Sequence, residues 1–391
     1  MVFLRTILIV VNAFTWYLIA FELLISMLDI AGTTSFETLL IWAVHFIGVT
    51  CSALIGAILS HKLINRDDFL SLWMFLGVAS SLTPIILEAH PVYLGIISFL
   101  WAVSFGLGMP SCMGYYADST ALENRGRLGG LIYFAISISL FLLGITLISF
   151  TSFVAQVAVL TIWRGVGLAA FIVFTPEKKG SDTRKSPSYN SIIHMKAVLL
   201  YLIPWTMFSL VNSITSPIFP ASIVQMVTLI TIVVAGLSTL VGGLLCDLIG
   251  RKPIVIVGFL LLGIGYAILG MFPHGVSYYL YAIVDGVAWG MFGVVFLMVL
   301  WGDLSESMLP EKFYAIGGLP YLLSIFLRIP IAPYIQELVP TTATFSFASF
   351  FLFLAIIPLM YAPETLPEKK IRERELRKYV DRAKKIKEKY S

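Results

Sequence analysis

Charge is scarce in this chain. Asp, Glu, Lys and Arg make up 12% of the 391 residues against 59% hydrophobic, a balance that excludes an ordinary soluble domain. Cysteine is rarer still. Cys51, Cys112 and Cys246 all fall in apolar runs, with no CxxC pair and no Cys/His grouping. That excludes a disulfide framework and a zinc site, and neither a metal nor a cofactor is expected. The phosphate loop G-x-x-x-x-G-K-[ST] is missing, so ATP-driven transport is not expected. H-E-x-x-H and G-x-S-x-G are missing too, and the five histidines are isolated, so neither is an intramembrane enzyme. The lipid bilayer is an expected partner, nucleic acid is not, and the chain is expected to be monomeric.

What is present is apolar length. From Phe3 to Phe174, and again from 197 to Ala362, hydrophobic residues are broken only by short polar turns, and 18 prolines and 30 glycines are scattered among them. Such spacing suits helices packed in lipid. At roughly 20 residues per crossing the chain holds about twelve spans. In the first half they cover about 5–28, 38–60, 69–87, 91–114, 128–149 and 153–174. In the second they cover about 197–219, 224–247, 253–272, 277–301, 313–335 and 342–362. The first run follows only Arg5 and carries no small-residue cleavage site before Glu22, so it reads as a retained span.

Lys and Arg are sorted by turn. Apart from Arg164 and Arg328, all 26 lie in one alternate set of turns, the long polar break or the tail. By the positive-inside rule both termini are expected to be cytoplasmic, and the expected location is the cytoplasmic (plasma) membrane. The expected organisation is a bundle over 1–174, a cytoplasmic linker over 175–196, a second bundle over 197–362 and a basic tail over 363–391. In the tail Ile371, Leu376, Tyr379, Val380, Ala383 and Ile386 recur at helical spacing among basic residues. Such a helix is either solvated or lies on anionic lipid of the inner leaflet.

The halves repeat. Gly56-Ala-Ile-Leu-Ser-His61 aligns with Gly242-Gly-Leu-Leu-Cys-Asp247, an offset of 186 residues. Leu63-Ile-Asn-Arg66 aligns with Leu248-Ile-Gly-Arg251, Ala117-Asp118 with Gly302-Asp303, and Gly129-Gly-Leu131 with Gly317-Gly-Leu319. Each match stands at the basic end of a pair of spans, and together they describe two six-span halves.

These residues also carry a family resemblance. Gly243-Leu-Leu-Cys-Asp247-Leu-Ile-Gly250-Arg251-Lys252 resembles the major facilitator superfamily signature G-x-x-x-D-[RK]-x-G-[RK]-[RK], departing at Leu248. The first-half copy keeps only Arg66, with His61 at the Asp position and Asn65 at the Gly position. Tyr116-Ala-Asp118-Ser-Thr-Ala-Leu-Glu123-Asn-Arg125-Gly126-Arg127-Leu-Gly129 is similar to the loop after span 4 of sugar porters. Pro363-Glu364-Thr365 and Pro176-Glu177 resemble the endings of spans 12 and 6 in sugar porters and organic-ion transporters. The glutamine-rich span 7 motif of sugar porters is missing, as are the span 4 arginine and span 5 Gly-Pro signature of drug antiporters.

The resemblance implies an all-α major facilitator fold of two pseudo-symmetric six-helix bundles. It also implies a cytoplasmic gate that closes when the transporter faces outward. Arg66, Asp118, Glu123, Arg125 and Glu177 would form one cluster of that gate. Asp247, Gly250, Arg251, Lys252, Asp303 and Glu364 would form the other. Spans 1, 4, 7 and 10 would line the cavity, supported by 2, 5, 8 and 11. Asn12, Trp16, Tyr133, Trp205, Asn212, Ser213, Asp285, Trp289, Tyr321 and Arg328 are the candidate solute contacts there.

Ionisable groups inside a bilayer are functional candidates by default. Asp285 on span 10 and Arg328 on span 11 lie at matched depth and are expected to pair. Glu22 and His45 are matched in depth on spans 1 and 2 and are expected to form a proton-coupling pair. Arg164, near the midplane of span 6, is expected to pack within its own half. Asp285 and Trp289, four residues apart, share a helix face that suits a polar or cationic solute. The resulting expectation is a secondary or facilitative transporter of a sugar, organic ion or related metabolite. The alternatives are an exporter of drugs or metabolites and, from another class, a receptor or scaffold on a transporter fold.

Overall fold

The computed structural model describes residues 2–62, 65–87, 90–150, 152–174, 184–215, 219 and 221–366. Among these residues the regular structure is entirely helical. Twelve helices are long and apolar enough to cross a membrane. Spans 1 to 6 are Phe3–Ile30, Ser35–His61, Arg66–Ile86, Pro91–Ser119, Arg125–Ser149 and Phe153–Val173. Spans 7 to 12 are Lys196–Thr215, Ser222–Ile249, Arg251–Met271, Val276–Leu304, Glu311–Ile331 and Thr341–Tyr361. Large apolar side chains such as Ile145, Ile162, Val166, Phe347 and Phe350 face outward. With helices that satisfy their own backbone groups, such a surface belongs in hydrocarbon, and the chain is an integral membrane protein.

Local chemistry explains where the helices break. Span 3 jogs at Leu82, two residues before Pro84, which is absorbed into the first turn of the final short segment. Span 4 starts with Pro91 in its first turn and bends at Leu107–Gly108, just ahead of Pro110. It then continues past its apolar run to Ser119, because its last turns bury Tyr115, Tyr116 and Ala117. Span 10 widens into a π-helical stretch over Gly293–Val299, a geometry that concentrates at functional sites.

The packing repeats as the sequence does. Span 2 lies on span 4 as span 8 lies on span 10, and span 3 lies on span 6 as span 9 lies on span 12. Span 5 packs against span 1 as span 11 packs against span 7. The two bundles meet where span 5 runs along spans 8 and 10, and where spans 2 and 4 meet span 11. Glycine sets the first of these approaches. A Cβ on Gly243 would stand 2.4 Å from the Gly126 carbonyl oxygen, and one on Gly130 would stand 2.3 Å from that of Thr239. No other residue fits there.

The expected tail helix, Glu177, and the linker over 175–183 lie outside the described residues.

Candidate functional site

The face bearing the basic turns is sewn together by buried charge. Arg125, at the start of span 5, directs Nη1 at Asp303 Oδ1 (2.5 Å) and Nη2 at the Ala117 carbonyl (2.7 Å). Arg251, at the start of span 9, donates from Nε to the other oxygen of Asp303 at 2.9 Å. One acid is thus held by two guanidiniums, one from each bundle. Arg251 also donates from Nη2 to the Leu122 carbonyl of the opposite bundle at 2.6 Å.

Asp247 closes the same seam differently. Its two oxygens accept the backbone N–H groups of Gly126 (2.8 Å) and Arg127 (2.9 Å), so the end of span 8 caps the start of span 5 across the interface. The unpaired N–H groups and positive dipole end of a helix favour an anion there. Glu364 does the same for span 9, accepting from Arg251 N (2.9 Å) and Lys252 N (3.1 Å). Gly250 reaches φ +107° beside this carboxylate, where a Cβ would be 2.5 Å from Glu364 Oε2. Lys252 Nζ donates to the Met360 and Ala362 carbonyls, each at 2.9 Å.

The repeat-related seam reverses one charge, with Glu311 at the position related to Arg125. Arg66 takes the place of Arg251 and donates to Asp118 at 2.6 Å, as Arg251 does to Asp303. Its other arm meets Glu311, which opens span 11 and is fully buried. His61 Nε2 stands 2.7 Å from the second Glu311 oxygen. Here one guanidinium is held by two acids. The sequence reading omitted Glu311, although it lies 186 residues after Arg125, the same offset that relates Gly56 to Gly242. It also grouped the charged residues by half, whereas Arg125–Asp303 and Arg66–Glu311 cross between halves. Glu123 is half-buried in the turn before span 5.

The described end of the linker runs beneath both bundles. Arg184 grips Asp118 with two bonds, at 2.8 and 2.6 Å. The Lys185 carbonyl accepts from Leu309 N (3.1 Å), and that of Pro187 accepts from Lys312 Nζ (2.7 Å). Tyr189 donates to the Leu54 carbonyl at 2.5 Å, and burial lifts its phenol well above the ordinary tyrosine range.

Above the seam the space between the bundles is aromatic. Trp205 of span 7 stacks on Phe296 of the π-helical stretch with centroids 4.7 Å apart, and its Nε1 donates to the Gly317 carbonyl at 2.9 Å. Phe208 meets Trp289 edge-on at 4.9 Å, and Trp289 meets Tyr321 at 5.9 Å. Tyr17, Tyr133 and Arg328 all interact electrostatically with Tyr321, which places groups from both bundles around one phenol. Phe46 and Phe326 stack across the bundles at 5.2 Å. Ser213 links spans 7 and 11 through Ser324 at 3.0 Å, and Asn212 is half-buried beside it.

Several expected contacts are placed elsewhere. Asn12 spends its amide inside the first bundle, donating to the Trp163 carbonyl (2.6 Å) and accepting from Arg164 Nη1 (3.0 Å). Trp16 donates to Ser81 Oγ at 2.8 Å and is fully buried. Arg164 is packed within its own half as expected, its guanidinium 4.5 Å from the Trp73 ring centroid and 5.1 Å from that of Trp16. The Glu22–His45 pair does not form. His45 bridges Tyr17 Oη (2.8 Å) and Ser98 Oγ (3.1 Å), while Glu22 is exposed on another face of span 1. Matched depth had suggested the pair, but depth carries no information on which way a helix face turns. The Asp285–Arg328 pair fails for the same reason. Asp285 is buried against Thr231 of span 8 and Tyr281, whereas Arg328 is exposed on the Tyr321 face of span 11. The expected Asp285/Trp289 cationic face therefore divides between the bundle interior and the cleft.

No family model and no curated protein matches this sequence. Solved structures do. A major facilitator superfamily proton:xylose symporter, XylE, bound to 6-bromo-6-deoxy-D-glucose, superposes with a TM-score of 0.75 at 16% identity, covering 93% of this chain and 96% of that one. The human organic anion transporter MFSD10 (TETRAN) superposes with a TM-score of 0.64 at 17% identity, covering 92% of this chain and 98% of that one. Twelve spans in two repeated bundles, a charged seam at the signature turns and these superpositions agree: the chain has the major facilitator fold.

Proposed function

We propose that the protein is a secondary transporter that moves a small organic solute across the cytoplasmic membrane by alternating access. On this reading its termini and the charged seam lie in the cytoplasm, and the seam is an inner gate in its closed position. The observation that carries this reading is the seam itself. Its joints across the bundles are hydrogen bonds and ion pairs at helix ends, contacts that water can replace when the bundles rock apart. The cleft above it is aromatic, with the Arg328 guanidinium on the Tyr321 face. That pattern favours a solute with an apolar face and an anionic group, rather than the cation that an Asp285/Trp289 face suggested. The names of the two superposed transporters span sugars and organic anions and support both as test classes.

The test is uptake into proteoliposomes of a panel of sugars, carboxylates and organic cations, with and without an inward proton gradient. Carboxylate uptake that falls at least tenfold in Arg328→Gln is the expected result. Uptake of sugars or cations alone, unaffected by Arg328→Gln, removes the anion assignment. No flux of any solute in either direction returns the protein to the receptor or scaffold class.

A further inference from the structure

Asp285 lies eight residues into span 10, about 12 Å below its outer end at 1.5 Å per residue. It is buried, and its Oδ1 has no hydrogen-bond partner. Every helix packed against span 10 there lacks a cation to balance it. On span 8 the ionisable groups are Cys246 and Asp247, and on span 9 they are Arg251, Lys252 and Tyr266. All except Tyr266 lie at the seam, where Asp303 of span 10 is 18 residues from Asp285, roughly 27 Å along the helix. Span 10 itself adds only Tyr278, Tyr279 and Tyr281 near this level, and Tyr133 of span 5 and Tyr321 of span 11 stand beyond Trp289. The groups facing the carboxyl are Tyr281, Tyr266 and the Thr231 hydroxyl.

A lone carboxylate in such surroundings is costly, and a carboxylic acid is not. The hydroxyls offer a route for the proton. Thr215 Oγ1, at the outer end of the span 7 helix, is 2.6 Å from Tyr266 Oη, and Tyr281 Oη donates to Tyr266 Oη at 2.8 Å. Tyr281 is one turn from Asp285, so the chain of hydroxyls leads from the outer end of the second bundle to the carboxyl. On the other side, Trp289 is one turn further in and faces the aromatic cleft.

Resting on the transport reading, we propose that Asp285 is a proton-binding site that couples solute movement to a proton gradient, fed by the Thr215–Tyr266–Tyr281 hydroxyls. The carboxyl takes up one proton to become neutral and releases it when the cleft rearranges around Trp289. Glu22 and His45 have no part in this step.

Infrared difference spectroscopy on the full chain in liposomes tests this without knowledge of the solute. Across about pH 5 to 9 the wild type should show a protonated-carboxyl C=O band that titrates and is absent in Asp285→Asn. Tyr281→Phe should shift the band position, and Tyr266→Phe should slow its exchange into deuterium several-fold. Asp285→Glu, which keeps a carboxyl and should move the band without abolishing it, makes the same identification should Asp285→Asn fail to fold. No Asp285-dependent band at any pH in that range overturns the proposal. So does a band lost at constant pH when sodium replaces choline, which would make the site a sodium site. Gradient-driven uptake that survives Asp285→Asn also overturns it while leaving transport intact. A titrating Asp285 band with no flux of any solute leaves the proton site standing and removes the transport reading.

Discussion

Asp303 is the residue on which most of the seam's charge converges. Its two oxygens answer Arg125 from one bundle and Arg251 from the other, and all three side chains are buried. Removing one member of a buried ion group leaves the others without compensation, which costs about 3–5 kcal/mol. Asp303→Asn should therefore lower the thermal unfolding midpoint of the purified protein by several degrees and loosen the seam between the bundles as well. Asp247→Asn should act more narrowly. Its neutral amide still accepts one N–H but loses the charge that complements the span 5 dipole. Spin labels on the basic ends of spans 5 and 8 should then report a larger separated population, with little change in melting. An unchanged distance distribution would remove Asp247 from the gate. Asp247, Arg251, Arg125 and Glu364 were singled out in the sequence because they stand in turns that resemble the superfamily's signatures, but which helix each carboxylate caps was not readable there. Glu311 was not, because its meaning depends on His61 and Arg66, about 245 positions away.

At the scale of elements, spans 5 and 8 can close only because glycines line both. A methyl group on Gly243 would meet the Gly126 carbonyl within 2.4 Å. Gly243→Ala should hold the basic ends of these spans apart without disturbing either bundle. The expected readout is increased alkylation, from the basic side, of a cysteine introduced at Ala117 or Met298, with wild-type recovery and elution on size exclusion. Span boundaries followed directly from apolar length, since hydrocarbon thickness sets that length for any sequence. The π-helical stretch over Gly293–Val299 carries no such signature. It arises where span 10 must fit span 5 while Trp301 Nε1 reaches back to the Phe296 carbonyl at 2.6 Å.

Across the whole molecule, the two seams are repeat-related copies that differ in sign at one position, Arg125 in one and Glu311 in the other. One centres an acid between two arginines, the other an arginine between two acids. The reversed position sets Arg125 of one bundle against Asp303 of the other and Glu311 of the second against Arg66 of the first, so each ion pair across the bundles joins opposite charges. The linker adds ties on this same face, to Asp118 in one bundle and to Leu309 and Lys312 in the other. Lys312→Ala, which frees the Pro187 carbonyl, should raise the rate of gate opening measured by single-molecule fluorescence between the two bundles. An unchanged rate would confine the linker to tethering.

Composition, apolar run length and the placement of Lys and Arg were enough to determine a twelve-span helical membrane protein built from a repeat. Each of these is a one-dimensional quantity that lipid reads directly. Depth along a span was legible too, at 1.5 Å per residue. Rotation about the helix axis was not, and rotation decides partners. It turned Asn12 and Trp16 into the first bundle, parted Glu22 from His45, and left Asp285 buried and alone while Arg328 faced Tyr321. Neighbouring helices fix that angle through side-chain packing, so only the tertiary structure could supply it.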